Sequence, residues 1–209
     1  MQIRRTSGPL GAAALAAIIG AVAWRGMARS QQPEPPDDQL PRFAQGRQLV
    51  KPVGWEAWVM VGSSTGLSYG AAPTPPAGAA PGMFHNIYLQ RWAYRHAMRT
   101  GALPDGAMFV MTFYEPSRKS NPARSGFYEG DRMPGLEVHL KRAGVDTSGW
   151  GFYGFNSDTT SSAAKLPGAL ACYSCHKTEA AFDNAFVQFY PTLRGRLLAK
   201  VDSQLPSAH

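Results

Sequence analysis

Hydrophobic positions along this chain fall into three regimes. Residues 10–24 are an almost unbroken run of Ala, Ile, Leu, Val and Gly. Residues 29–50, which contain the stretch QQPEPPDDQLP, show no periodicity, and the closely spaced Pro33, Pro35 and Pro36 work against a helix. From Trp55 onward, short apolar runs are separated by Gly- and Pro-rich turns. Residues 55–61 (WEAWVMV) and 84–89 (FHNIYL) are rich in β-formers and predict strands, and MFVMTFY at 108–114 predicts a buried one. Residues 90–100 predict a helix with Trp92, Ala93, His96 and Ala97 on one side, ended by Gly101. The LPDG sequence at 103–106 reads as a turn. Residues 126–130, 136–141 and 150–155 are further strand candidates, and helices are expected at 178–189 and after Pro191. Strands in a run with helices grouped toward the end argue an α+β fold, an antiparallel β-sheet packed with a few helices. There is no internal repeat.

Composition narrows the class. Apolar residues at 44% against 17% charged exclude a disordered chain, and 209 residues suffice for one domain with a tail. Gly 22 and Pro 17 imply long loops, such as the low-complexity stretch at 71–82. The net charge of +7 falls to +4 once Arg4, Arg5 and Arg25 are set aside, 18 basic against 14 acidic residues. The remaining basic residues are scattered, so no nucleic-acid partner is expected.

The N-terminus reads as an export signal. Arg4 and Arg5 supply a positive start, and the apolar run of about 15 residues is short of the roughly 20 that span a bilayer. Gly26 and Ala28 give small residues at the spacing of a cleavage site, while Arg25 inside it leaves an uncleaved membrane anchor as the alternative. The residues after the paired arginines do not support a twin-arginine signal. The expected layout is a signal peptide or anchor at 1–28, a Pro-rich linker at 29–50, a folded domain at 51–200 and a tail at 201–209. Either way the domain is expected outside the cytoplasm, in the periplasm, touching the inner membrane only through that anchor.

The strongest motif is CYSCH. Cys172, Cys175 and His176 form C-x-x-C-H, the attachment signature of a c-type haem. Thiols three residues apart on one helical turn can each form a thioether to a haem vinyl group, and the adjacent imidazole can reach the iron. A zinc site would need further cysteines, and the chain has two. A thioredoxin-like pair would follow a βαβ pattern, which is missing. A structural disulfide is the remaining alternative. One motif implies one covalent haem c, with its iron, near the C-terminus of the fold.

The ordered motifs WVMVG (58–62), NIYL with its helix, LPDGAMFV, GFYEGD (126–131), GLEV (135–138), GWGFYGF (149–155), ACYSCH and FVQFYPTLR (186–194) carry a resemblance. Over about residues 50–199 the chain resembles the cytochrome P-460 family, which includes hydroxylamine-oxidising haem enzymes and β-sheet cytochromes c′ that bind nitric oxide. The resemblance implies an antiparallel sheet, one haem c per chain, a homodimer and a redox partner protein. The oxidising members carry a lysine on the strand after the D-G turn that bonds to the porphyrin, and the matching position here is Met111. A thioether cannot make that bond, which places hydroxylamine oxidation in doubt.

Met111 then has two readings, a core residue beside the haem or a sixth iron ligand, with Met108 and Met133 less well placed. His85 falls on the strand where catalytic relatives carry a distal arginine, so it is the candidate acid–base or hydrogen-bonding residue. Glu137 is either a buried acid near the haem or the partner of Arg132 or Arg142. Phe109, Phe113, Phe152 and Phe155 are candidate pocket or core aromatics, and His96, His139 and His209 are expected to be structural or solvated. Three functions follow: a haem that binds NO or a similar small diatomic or nitrogen-oxide ligand, a His/Met electron carrier, or an oxidoreductase acting on hydroxylamine, NO or peroxide.

Overall fold

The computed structural model describes residues 40–67, 79–118, 122, 125–144, 147–156 and 161–202. The leader at 1–28, most of the 71–82 loop, His209 and residues 203–209 of the tail lie outside the described residues. Ten strands are described: β1 (Phe43–Ala44), β2 (Gln48–Val50), β3 (Val59–Thr65), β4 (Phe84–Leu89), β5 (Met108–Tyr114), β6 (Pro116–Ser117), β7 (Tyr128–Glu129), β8 (Gly135–Lys141), β9 (Trp150–Asn156) and β10 (Ser162–Ala163). Three α-helices accompany them: α1 (Arg91–Thr100), α2 (Ala171–Glu179) and α3 (Pro191–Asp202). The strands form three antiparallel sheets, so the fold is α+β.

The central sheet has the order β3-β4-β5-β8-β9. Its register pairs Ile87 with Met111, Met111 with Glu137, Phe109 with His139, and His139 with Phe152. Successive side chains on a strand alternate between faces, so these residues share one face. On the opposite face Met108, Val110, Leu136, Val138, Leu140, Tyr153 and Phe155 pack with Leu49, Trp55 and Trp58 into a core of their own. Helices α1 and α3 cover part of the first face, through Ala93 and Ala97 at one helical turn and Leu193 and Leu197 at another, all four fully buried. Gly101 adopts a left-handed conformation (φ 70°) and its N–H bonds to the Ala97 carbonyl at 2.8 Å, which stops α1. Gly62 is needed for a different reason: a Cβ there would lie 2.8 Å from the Tyr190 ring and 3.0 Å from the Phe189 carbonyl.

The structure alters several boundaries. Residues 43–50, expected as the end of a linker, contribute β1 and β2; Leu49 is fully buried and pairs with Ala163 of β10. The expected strand at 55–61 begins instead as a single 3-10 turn (Trp55–Ala57), because Gly54 turns the chain with φ 70° and Trp55 and Trp58 point into one core. Only Tyr128–Glu129 of the 126–130 candidate is a strand. The helix expected at 178–189 is absent: α2 ends at Glu179, and Asp183 and Asn184 have φ of 46° and 55°. Left-handed conformations are incompatible with a continuing right-handed helix.

Truncating Leu49 to Ala should cost about 2–5 kcal/mol of stability, because a fully buried leucine leaves a cavity. Chemical denaturation of the holoprotein checks this, since a leucine in a free linker would cost almost nothing.

Candidate functional site

Helix α2 presents the CYSCH residues. Its start follows a turn in which the Leu170 N–H bonds to the Pro167 carbonyl at 3.1 Å. Tyr173 then ties the helix to the sheet: its hydroxyl donates to the Leu166 carbonyl at 3.0 Å and accepts from the Phe152 N–H at 3.4 Å. Cys172 and Cys175 are free thiols, both half-buried, and burial pushes the Cys172 thiol up. At the other end, the Gln188 amide donates to the Glu179 carbonyl (2.8 Å) and accepts from the Ala181 N–H (3.0 Å), satisfying backbone groups where the helix stops.

The chain then reverses in a tight turn. The Ala185 N–H bonds back to the Phe182 carbonyl at 2.8 Å, and both central residues, Asp183 and Asn184, have positive φ. That is the pattern of a type I′ turn, which Asn and Asp tolerate far better than other non-glycine residues. Its product is an acceptor: the Asn184 carbonyl takes a 2.7 Å hydrogen bond from His176 Nδ1. Because a carbonyl only accepts, Nδ1 carries the proton, and the lone pair of a neutral His176 sits on Nε2. Burial lowers the His176 pKa and the Asn184 bond acts against it. Three rings pack edge-on against this imidazole: Phe186 at 4.5 Å, His139 at 4.6 Å and Phe152 at 4.7 Å between centroids.

A largely apolar cavity of about 360 Å³ lies between α2 and the first face of the central sheet. The leading site candidates from the sequence line it: Cys172, Cys175 and His176 from the helix, His85 from β4 and Met111 from β5. Phe109 and Phe152 line it as well, whereas Phe155 belongs to the core on the opposite face. Phe113 contacts the His85 ring edge-on at 5.1 Å. Met108 and Met133 pack with the opposite core and are not part of the cavity. Burial lowers the His85 pKa.

For two residues the structure selects between the alternatives. Glu137 lines the cavity and has no ion pair or hydrogen bond among the described residues. The arginines proposed for it are engaged elsewhere, Arg132 with Glu115 and Arg142 over the Phe43 ring at 4.3 Å. The Glu137 side chain is accessible within the cavity, and partial desolvation by the atoms around it raises its carboxyl from the ordinary value. His139 is not solvated: it is 9% exposed, lines the cavity, and lies between Trp150 (4.1 Å) and Phe152 (4.2 Å). Burial, and secondarily His176, hold its pKa well below the ordinary value. Its Nε2 has no hydrogen-bond partner in the described structure. The signal for both residues was parity, since positions 137 and 139 alternate with apolar 136, 138 and 140. A polar strand face that lines a cavity has the same pattern as one that meets water.

This donor set fits a haem. Two free thiols three residues apart, a neighbouring imidazole with Nδ1 already engaged, and an apolar cavity beside them match the needs of a covalently held porphyrin. Among the described residues, no group of three or more His, Cys, Asp or Glu is arranged to hold a bare metal ion.

The family model for Cytochrome P460 matches residues 52–187, and the chain belongs to that family. No curated protein matches the chain.

Asn184 is the position on which the turn depends. Asn184→Val should cost about 1–2 kcal/mol, the usual penalty of a left-handed conformation for a side chain with no local hydrogen bond, whereas Asn184→Gly should cost almost nothing. Denaturation curves of the two holoproteins compare them directly.

Proposed function

We propose that this protein is an exported monohaem c-type cytochrome whose iron keeps one side open for NO or another small diatomic or nitrogen-oxide ligand. The observation that carries the reading is that one apolar cavity is lined jointly by Cys172, Cys175 and His176 and by His85 and Met111. In this reading Cys172 and Cys175 hold the haem as thioethers and His176 ligates the iron through Nε2. When bound, haem supplies reversible one-electron chemistry and a coordination position for a small ligand.

The residues of the chain do the rest. Ile87, Phe109 and Phe152 give the cavity an apolar wall. His85, with its pKa lowered, is neutral at pH 7 and can donate or accept one hydrogen bond to a bound ligand. Glu137 places a carboxyl in the same cavity wall, where desolvation by the surrounding atoms raises its pKa above the usual value. Met111 packs against the core beneath the helices and forms part of the cavity wall. It carries no amine, so no cross-link to the porphyrin forms there and hydroxylamine oxidation is not the expected activity.

The second reading has one observation in its favour: Met111 lines the same cavity as His176, so its sulfur is the candidate sixth ligand of an electron carrier. In either reading the protein works in the periplasm, exchanges electrons with a redox partner protein, and forms a homodimer.

An optical spectrum of the ferrous holoprotein with and without CO separates the two. The open-site reading predicts a c-type spectrum that shifts on CO addition and is the same in Met111→Ala before CO. A low-spin spectrum that ignores CO, with a sulfur-to-iron band lost in Met111→Ala, would overturn it in favour of His/Met ligation.

A further inference from the structure

We infer that the Lys141–Asp183 pair, together with the Trp150 indole, is a positioning device that sets how strongly His176 donates to the haem iron. The inference rests on His176 being the proximal ligand. The His176 Nδ1–H bond goes to the carbonyl of Asn184, the residue directly after Asp183 in the type I′ turn. The Asp183 carboxylate is held from two adjacent strands: Lys141 at the end of β8 is ion-paired to Oδ2, and the Trp150 indole N–H at the start of β9 donates to Oδ1 at 3.3 Å. Lys141 and Trp150 are register partners, so the carboxylate bridges two neighbouring positions of the sheet. The Lys141 ammonium is itself fixed by a second bond, to the Leu103 carbonyl at 2.9 Å.

The other polar side-chain anchor of this turn is weaker. The Asn184 amide reaches the Ser148 carbonyl only at 3.5 Å, the limit of a hydrogen bond. The Asp183 carboxylate is therefore the main polar side-chain tie between the sheet and the turn that carries the acceptor carbonyl, beside the apolar packing of Ala185, Phe186 and Val187. A proximal imidazole whose Nδ1–H is held by a well-placed acceptor is a more basic ligand, and stronger donation favours ferric iron. Loosening the turn weakens that bond, weakens donation and shifts the couple toward ferrous iron.

The sign of the effect separates positioning from simple charge. Removing the Asp183 charge in Asp183→Asn raises the reduction potential on either account. Removing the Lys141 charge in Lys141→Met would lower the potential if the ammonium acted only through its field, because a lost positive charge stabilises ferric iron. The positioning role predicts the reverse: Lys141→Met raises the potential, as Asp183→Asn does.

The test is a spectroelectrochemical titration of the wild-type, Asp183→Asn, Lys141→Met and Lys141→Arg holoproteins, with resonance Raman of the ferrous state. The expected result is a higher potential and a lower iron–histidine stretching frequency in Asp183→Asn and Lys141→Met, with Lys141→Arg near wild type. Opposite potential shifts in the first two variants, with the stretching frequency unchanged, would overturn the positioning role. Failure of the reading beneath it has a different signature: no histidine nitrogen coupled to the iron in the wild type.

Discussion

The antiparallel register of the central sheet is the constraint on which the rest of the site depends. Pairing of Ile87 with Met111 and Met111 with Glu137, and of Phe109 with His139, sets a two-residue period that sends His85, Met111, Glu137, His139 and Phe152 to one face. A slip of one residue in β5 would put Val110 and Thr112 where Phe109 and Met111 now stand, and would turn Met108 toward the cavity. Such a slip is opposed from the other side, where Met108, Val110, Leu136, Val138 and Leu140 are almost wholly buried with Trp55, Trp58 and Leu49. The core on one face therefore fixes the chemistry on the other.

The second element is the short turn after α2. The helix supplies Cys172, Cys175 and His176, but the orientation of the imidazole comes from Asn184, eight residues on. That arrangement requires the helix to stop at Glu179, which Gln188 makes tolerable by bonding the exposed backbone groups, and requires two successive left-handed residues. Only a few residue types accept that geometry, and the chain places Asp and Asn there. The sheet meets the helix through the same turn, at Asp183, and through Tyr173 against β9.

Much of this was legible in the sequence, and the failures have physical causes. FHNIYL and MFVMTFY became β4 and β5 with the expected bounds, because β-forming runs bounded by turns are a strong local signal. CYSCH, and the family resemblance that singled out His85 and Met111, pointed to residues that the fold gathers around one cavity. The helix expected at 178–189 failed because Asp183-Asn184, a turn pair, was outweighed by the apolar residues around it. Residues 43–50 were missed because a strand of two or three residues has no period to detect; Leu49 is buried by pairing that is remote in sequence. The alternatives for His139 and Glu137 stayed open because local pattern cannot distinguish a polar face toward water from one toward a cavity. Lys141, Trp150 and Asp183 could not be associated from sequence, since they converge only through long-range folding.

In the proposed function Cys172 and Cys175 hold a single haem beside His176. Intact mass of the denatured holoprotein after acid–acetone extraction tests it most directly, with the Cys172→Ser/Cys175→Ser variant alongside. The wild-type chain is expected to retain the mass of one haem and the variant to retain none. A wild-type chain stripped of haem by the extraction, or one carrying more than a single haem, would contradict it.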